Sequence, residues 1–276
     1  MTEEKYQYLK KYLKRLGMVA IAYSAGVDSS FLLHTAVQVS GRENVLAITA
    51  ESPLFPKREL AEAKKFCTDA GIKQVFFDTD ELKKEEFCNN PPERCYICKK
   101  AMFEKMKEIA AVHGIKNVAE GSNQDDLGDY RPGLRAIREL QIVSPLREAG
   151  LTKAEIRELS RAAGLDTWNK PSYACLASRF AYGERITKER LKMAEQAEEY
   201  LRSQGFEKMR VRIHGTGKNT LARIELQPED FPRMNEEIFR KGVTERLKDI
   251  GFTYVTVDLY GYRTGSMNES LTETYI

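Results

Sequence analysis

Hydrophobic and polar positions along the chain follow two rhythms. Met18 to Tyr23 (MVAIAY) and Val45 to Ala50 (VLAITA) are charge-free apolar runs and read as strands buried on both faces. Lys73 to Phe77 (KQVFF) reads as a third strand, and Asn117 to Glu120 as a short fourth that opens into GSNQDD. Helical spacing fills the intervals. The N-terminal run MTEEKYQYLKKYLKRLG is charged and helical in pattern, and FLLHTAVQVS follows the loop SAGVDSS. Pro56 to Gly71 and Cys98 to His113 are further helices, each stopped by a glycine. Strands alternating with helices at this spacing predict an α/β chain built on a doubly wound parallel sheet, which binds ligands at the carboxyl ends of its strands.

The rhythm changes near Leu151. TKAEIRELSRAAGL is one more helix, with Thr152 as N-cap and Glu155 completing a capping box. Trp168 to Arg185 is irregular, and Thr187 to Gln204 is helical. MRVRIH and LARIEL alternate as a hairpin across GTGKNT, Glu237 to Ile250 is a helix, and YVTVDLYGY a last strand. The expected division is an N-terminal doubly wound domain over 1–165 and a smaller α+β domain over 166–276.

Composition narrows the class. The 276 residues are 42% hydrophobic and 31% charged, with a net charge of +3, as in an ordinary globular protein. No run approaches the roughly 20 apolar residues of a membrane span, and the N-terminus lacks the apolar core of a secretory signal, so a cytoplasmic protein without a membrane partner is expected. The net charge is too small to argue for nucleic acid. Five cysteines, an odd number, argue against a disulfide framework.

The loop Ser24, Ala25, Gly26, Val27, Asp28, Ser29, Ser30 follows a buried strand and opens a helix. That context places backbone N–H groups and the positive end of the helix around an anion. The serines add hydroxyl donors. Asp28, a carboxylate beside phosphates, implies a bridging Mg²⁺. No GxxxxGK[ST] is present, so this is not the kinase-type loop. The plainer reading is a Ser/Gly turn that caps a helix. The order strand, S-x-G-x-D-S, helix resembles the PP-loop ATP pyrophosphatases, whose usual loop is SGGxDS and which split ATP to AMP and pyrophosphate. Ala25 stands where that family has glycine, so either its φ is negative or the loop is altered.

Cys95 and Cys98 form a C-x-x-C pair in ERCYICKKAMF, and Cys175 lies in PSYACLASRF among Lys170, Arg179 and Arg185, cations that favour a thiolate. A metal site, a redox pair and buried thiols all remain open for the pair. Three cysteines do not complete a Cys₄ zinc site but suit a 4Fe-4S cluster with one open iron, which can carry a further ligand such as hydrosulfide. Cys67 and Cys88 read as structural.

SAGVDSS, PPERCYICKK, DYRPG (Asp129 to Gly133), NKPSYACLASRF, RVR…ARIEL and YVTVDLYGYRTGSMN together resemble the LarE family over nearly the whole chain. The resemblance implies a HUP-like PP-loop fold and an ATP-dependent sulfur transferase of nickel-pincer nucleotide biosynthesis, the cofactor of lactate racemase. ATP would adenylylate a carboxylate of pyridinium-3,5-biscarboxylic acid mononucleotide, and sulfur would displace AMP. Of the family's two sulfur strategies, a sacrificed cysteine or a cluster-borne sulfide, Cys95, Cys98 and Cys175 match the three-cysteine type.

Further roles follow from the chemistry implied. Lys99 would steady phosphate charge, with a solvated helix lysine as the plainer alternative. Asp125 and Asp126 would hold metal or cap the next turn, and the cap is favoured. Arg131 suits a phosphate or carboxylate. An anionic mononucleotide needs cations, and Arg179, Arg210 and Arg212 are the candidates; alternation places the last two on one strand face. Glu198, Glu225 and Asp230 form an accessory metal site by family analogy, though isolated carboxylates are usually on the surface. Trp168 would stack on a ring or pack in the core. The implied partners are the pyridinium mononucleotide, a sulfide donor, a downstream nickel-inserting protein and further copies of the chain, as a hexamer or other homo-oligomer. The alternatives are a tRNA thiolase of the same superfamily, an amidating PP-loop ligase, and a non-catalytic nucleotide or metal carrier.

Overall fold

The computed structural model describes residues 2–128, 132–171, 174–263 and 265–271. In chain order the helices are α1 Thr2–Leu16, α2 Val27–Ser40, α3 Lys57–Ala70, α4 Glu85–Cys88, α5 Arg94–Val112, α6 Gly133–Glu139, α7 Pro145–Glu148, α8 Lys153–Ala162, α9 Lys188–Ser203, α10 Phe231–Asn235 and α11 Glu237–Ile250. The strands are β1 Val19–Ala22, β2 Val45–Glu51, β3 Lys73–Asp78, β4 Asn117–Ala119, β5 Arg210–His214, β6 Leu221–Glu225 and β7 Tyr254–Val257. The chain forms two compact units. One contains Met1–Asp80 and Cys95–Tyr173, the other Glu81–Arg94 and Ala174–Ile276.

In the first unit four parallel strands stand in the order β3-β2-β1-β4. The period-2 alternation of the strands divides the core between two faces. Val19, Ile21 and Ala47 pack with Leu9 and Leu13 of α1, Phe31 and Leu32 of α2 and Ile156 of α8. Ala20, Leu46 and Ile48 pack on the opposite face with Phe103, Met106 and Ala110 of α5. This is the doubly wound α/β architecture expected from the apolar runs. The chain winds outward from β1 through β2 to β3 and then returns to the other side of β1 as β4. The strand order therefore reverses between β1 and β4, and a crevice for ligands opens beyond their carboxyl ends. SAGVDSS follows β1, and GSNQDD follows β4.

In the second unit β5 and β6 pair antiparallel, with Arg210 opposite Glu225 and Arg212 opposite Arg223, and β7 joins β6 in parallel. Val211, Ile213, Ala222 and Ile224 are fully buried, as are Leu201 of α9 and Leu247 of α11. The hairpin, α9 and α11 lie where the sequence places them. The last strand is shorter than expected: Asp258 accepts the Tyr260 amide at 2.8 Å and the Gly261 amide donates to the Asp258 carbonyl at 3.0 Å, a turn that ends β7 at Val257. Leu259 and Tyr260 are left exposed.

The division near residue 166 differs from the units observed. The 170s remain with the first unit as far as Tyr173, and residues 81–94 join the second. Backbone bonds inside the second unit account for that: Ile186 N–H donates to Cys88 O at 2.8 Å and Gly183 N–H to Asn90 O at 2.9 Å. Charged α4 and the Pro-rich turn carry no apolar rhythm that would have revealed it.

Candidate functional site

The loop between β1 and α2 turns on Ala25. Its φ is +56°, in the left-handed region, although it carries a side chain. Of the two possibilities left by the missing glycine, the loop keeps the glycine-like conformation and accepts a strain of about 1 kcal/mol. Lys170 holds it there: its ammonium donates to the Ala25 carbonyl at 3.0 Å and pairs with Glu59 at 2.6 Å and Glu62 at 2.5 Å, both on α3. Gly26 is the N-cap of α2 and offers no side chain to the first-turn amides. A Cβ on Gly26 would stand 3.5 Å from Ser24 Oγ, in the mouth of the loop. Ser24 and Ser29 hydroxyls lie 3.2 Å apart, and Ser29 donates to Gly26 O at 3.2 Å. The result is a ring of hydroxyls and amides at the positive end of a 14-residue helix, which suits a phosphate.

The segment after β4 closes the other side. Gly121 lies so near the first turn of α2 that a Cβ would be 3.1 Å from Ser29 N and 3.3 Å from Asp28 Cβ. Glu120, nearly buried, fixes this approach: it accepts from the Ser122 amide at 3.0 Å, from the Ser122 hydroxyl at 2.7 Å, and from Ser144. Asp28 is bonded by Asn123 Nδ2 at 3.4 Å and by the Lys153 ammonium. That contact shows that the space beside Asp28 accepts a cation, and an oxygen donor at the edge of a phosphate loop is chemically suited to Mg²⁺. Asp126 accepts the Asn123 amide at 2.9 Å, and Asp125 accepts the amide of Lys153, the first residue of α8, at 2.8 Å. Each aspartate thus accepts a backbone amide.

The thiols differ in setting. Cys67 is buried in the core, and burial pushes its thiol up to about 12. Cys88 is buried, donates to Leu82 O at 3.3 Å, and is likewise raised by burial. Cys95 and Cys98 are half-buried thiols, neither in a disulfide, in the first two turns of α5, one turn apart and so on one face. Helix α5 begins at Arg94, four residues before the expected start, which places both cysteines on helix rather than one on a loop. Cys175 is also a half-buried free thiol, the N-cap of a 3₁₀ turn over Leu176–Arg179 in the second unit. Among the described residues no group of three His, Cys, Asp or Glu side chains is gathered to hold a metal ion. The donor chemistry, partly accessible thiols free of disulfides, fits an iron–sulfur group.

The expectation that three cations surround Cys175 changes. Lys170 is committed to Glu59, Glu62 and Ala25, and Arg185 to Glu85 through both oxygens. Arg179 does lie alongside, donating to the carbonyls of Ala174 at 2.8 Å and Cys175 at 3.2 Å.

Arg179 is fully buried and forks onto Glu198 at 2.8 and 2.7 Å. Burial opposes ionisation of Glu198, but the Arg179 guanidinium outweighs it and holds the carboxyl below its usual range. Arg212 bonds Glu225 at 2.7 Å, Ser266 Oγ at 3.0 Å and Ser178 O at 2.9 Å, while its buried Nε has no partner. Arg210 is buried beside both, and burial together with the Arg179 charge pushes its guanidinium down. Arg210 and Arg212 share one face of β5, as their alternation predicts. That face is buried rather than solvated, and Glu198 and Glu225 are counter-ions within it rather than surface carboxylates. Asp230 is half-buried in the turn before α10.

No family model matches the chain. Among curated relatives, pyridinium-3,5-bisthiocarboxylic acid mononucleotide synthase of Lactiplantibacillus plantarum is 39% identical over 268 residues, 96% of this chain and 94% of the relative. The chain belongs to this synthase family. An uncharacterized protein of Synechocystis, slr1717, is 39% identical over 99% of this chain and all of its own length. A tRNA-specific 2-thiouridylase of Fusobacterium nucleatum is 28% identical over 58% of this chain and 51% of its own.

Seen as a member of the synthase family, the chain gathers the loop residues, Asp28 and Asp125 at one end of the first sheet. Lys99 is half-buried on α5, its methylenes lying on Gly133, where a Cβ would be 2.5 Å away. Arg131 lies outside the described residues. Trp168 is half-buried in a 3₁₀ turn, under the Arg161 guanidinium at 5.2 Å. Sequence reasoning missed Lys153, Glu120 and Ser144. Lys153 had one signal, its place directly after a capping Thr152; the Glu120–Ser144 bond had none, because it joins residues 24 positions apart.

Proposed function

We propose that this protein is an ATP-dependent sulfur transferase that adenylylates a carboxylate of pyridinium-3,5-biscarboxylic acid mononucleotide and replaces AMP with sulfur. The observation that carries this is an uncapped helix start behind a left-handed Ala25, in a chain 39% identical over 96% of its length to a synthase of the bisthiocarboxylic acid.

A carboxylate resists substitution because its oxygens are poor leaving groups. In the proposed first step, a substrate carboxylate oxygen attacks the α-phosphorus of ATP, the bond to the β-phosphate oxygen breaks, and pyrophosphate leaves. The α2 amides and the Ser24 and Ser29 hydroxyls bind the departing phosphates. Asp28 would hold Mg²⁺, which neutralises pyrophosphate. Lys153 then exchanges Asp28 for a phosphate oxygen within reach of its flexible stem. Lys99 and Arg131 are assigned to the remaining phosphate or carboxylate charge.

In the second step a sulfur nucleophile attacks the acyl carbon, AMP leaves with the electrons of the C–O bond, and the thiol proton goes to solvent. Cys95, Cys98 and Cys175 would hold a 4Fe-4S group, which would carry the sulfide that serves as that nucleophile. Arg210 and Arg212 receive the substrate phosphate: the pressure on Arg210 from burial and from Arg179 is relieved by an anion, and the buried Arg212 Nε is a donor. Arg179, with Glu198, braces them. The test is anaerobic incubation with ATP, Mg²⁺ and the mononucleotide. Thiocarboxylate and AMP in equal amounts support the reading; AMP without sulfur incorporation, or amide formation on adding ammonia, overturns it.

A further inference from the structure

Two arginine–glutamate pairs are buried in the second unit, and their geometries differ. Arg179 forks onto Glu198, its Nε and Nη2 each taking one carboxylate oxygen at 2.8 and 2.7 Å. That two-bond pairing is the one a guanidinium and a carboxylate favour. Arg212 meets Glu225 through Nη2 alone, at 2.7 Å, and its buried Nε has no partner. A buried donor without an acceptor is costly, so the second oxygen of Glu225 must be held away from it.

Ser266 holds that oxygen. Its hydroxyl donates to Glu225 Oε1 at 2.7 Å and accepts from Arg212 Nη2 at 3.0 Å. Arg223, directly opposite Arg212 in the β5–β6 pairing, adds a longer contact to the same Oε1 at 3.3 Å. The oxygen that would complete a fork on Arg212 is therefore engaged, and Nε is left over.

The turn that carries Ser266 is fastened separately. A 3₁₀ turn over Ser266–Ser270 starts behind Gly265, whose φ of +79° suits glycine. The Asn268 amide donates to Gly265 O at 2.7 Å, and Asn268 Oδ1 accepts from the Tyr182 hydroxyl at 3.1 Å. Met267 Sδ accepts from Arg223 Nη2 at 3.3 Å, and Arg263 forks onto Glu269 at 2.6 and 3.0 Å. Ser266 and Met267 are buried.

We infer that Ser266 is a positioning residue for substrate binding: by engaging Glu225 Oε1, its hydroxyl keeps Arg212 from being neutralised in a fork and leaves Nε as a donor for the phosphate of a mononucleotide. The inference rests on the proposed role of Arg212 toward that phosphate. Without the hydroxyl, Oε1 turns onto Nε as in the Arg179–Glu198 pair, and the substrate must displace a carboxylate. The ATP loop lies in the first unit and takes no part in these bonds, so ATP binding is spared.

The test measures two dissociation constants by calorimetry, one for pyridinium-3,5-biscarboxylic acid mononucleotide without ATP and one for ATP with Mg²⁺. Wild type, Ser266→Ala, Ser266→Cys, Ser266→Thr and Arg212→Ala are compared. Ser266→Ala should bind the mononucleotide about tenfold more weakly, the lower end of what one hydrogen bond to a charged group contributes. Ser266→Cys, which fills the space with a weak donor, should shift binding in the same direction. Ser266→Thr keeps the hydroxyl and should stay within about threefold of wild type, and the Kd for ATP should stay within about threefold in every Ser266 variant. Arg212→Ala should weaken the mononucleotide at least as much as Ser266→Ala. Wild-type affinity in Ser266→Ala and Ser266→Cys, with Arg212→Ala weakened, overturns the inference and leaves the phosphate site standing. Equal weakening of ATP and mononucleotide, or a Ser266→Thr as weak as Ser266→Ala, also overturns it, because either marks lost packing rather than a lost hydroxyl. Wild-type affinity in Arg212→Ala overturns the phosphate reading and the inference with it.

Discussion

Replacing Lys170 with Met isolates what holds the phosphate loop in its left-handed turn. The Lys170 side chain is 14% exposed and that of Glu59 10%, so the pair is screened little by solvent. Methionine keeps the apolar stem but removes the bond to Ala25 O and both carboxylate contacts. A hydrogen bond to a charged group contributes about 1.5–3 kcal/mol. Glu62 is half exposed and adds little, whereas Glu59 loses its Lys170 partner and keeps the longer Arg58 Nε contact at 3.4 Å. The expected cost is about 2–3 kcal/mol, which at about 2–4 °C per kcal/mol lowers the melting temperature of the first unit by about 4–12 °C. Freed of Lys170, Ala25 also relaxes out of its strained φ, and the amides of α2 lose their alignment. KM for ATP should therefore rise about tenfold, in line with the loss of a fraction of that energy at the phosphates. Thermal melts and steady-state AMP release measure both. A variant with wild-type melting and wild-type KM for ATP would refute the claim that Lys170 holds this loop.

Three further outcomes are expected. Asp28→Asn should cut Mg²⁺-dependent AMP formation by about 100-fold or more, a loss far larger than the modest destabilisation expected from weakening the Asp28–Lys153 ion pair; AMP formation at the wild-type rate would remove Asp28 from the metal role. Glu198→Gln leaves the fully buried Arg179 without its counter-ion and should cost about 3–5 kcal/mol in urea unfolding of the second unit; a change below about 1 kcal/mol would show that the pair contributes little. Glu155 is opposed by burial, but Lys5 and then Thr152 hold its carboxyl down at about 2. Because the folded value is depressed, its contribution is present above the unfolded value of about 4.3 and is lost as pH falls toward 2. The melting difference between wild type and Lys5→Met should shrink from pH 6 to pH 3; a constant difference would contradict the linkage.

The first sheet was legible because a parallel sheet covered on both faces demands charge-free runs such as MVAIAY and VLAITA, and glycine stops such as Gly71 mark the helices between them. The phosphate loop was legible because its chemistry and its context lie in consecutive residues. Contacts between distant residues left no such mark. Nothing near Asp28 in sequence announces Lys153, 125 residues away, and nothing near Glu225 announces that Ser266 is bonded to it. Arg179, Arg210 and Arg212 were found as cations, but a period-2 pattern does not distinguish a buried arginine face with its own glutamates from a solvated one. Ala25 is the instructive residue: sequence shows a missing glycine, and only the backbone shows that the loop kept its shape, with Lys170 holding its carbonyl.

The central claim is that ATP splitting here activates a carboxylate for sulfur. The most direct measurement is mass spectrometry of the pyridinium-3,5-biscarboxylic acid mononucleotide after anaerobic turnover with ATP and Mg²⁺, with AMP quantified in parallel. The account predicts sulfur in place of a carboxylate oxygen, matched by one AMP for each exchange. An unchanged mononucleotide with AMP released, or a mononucleotide left untouched alongside intact ATP, would contradict it.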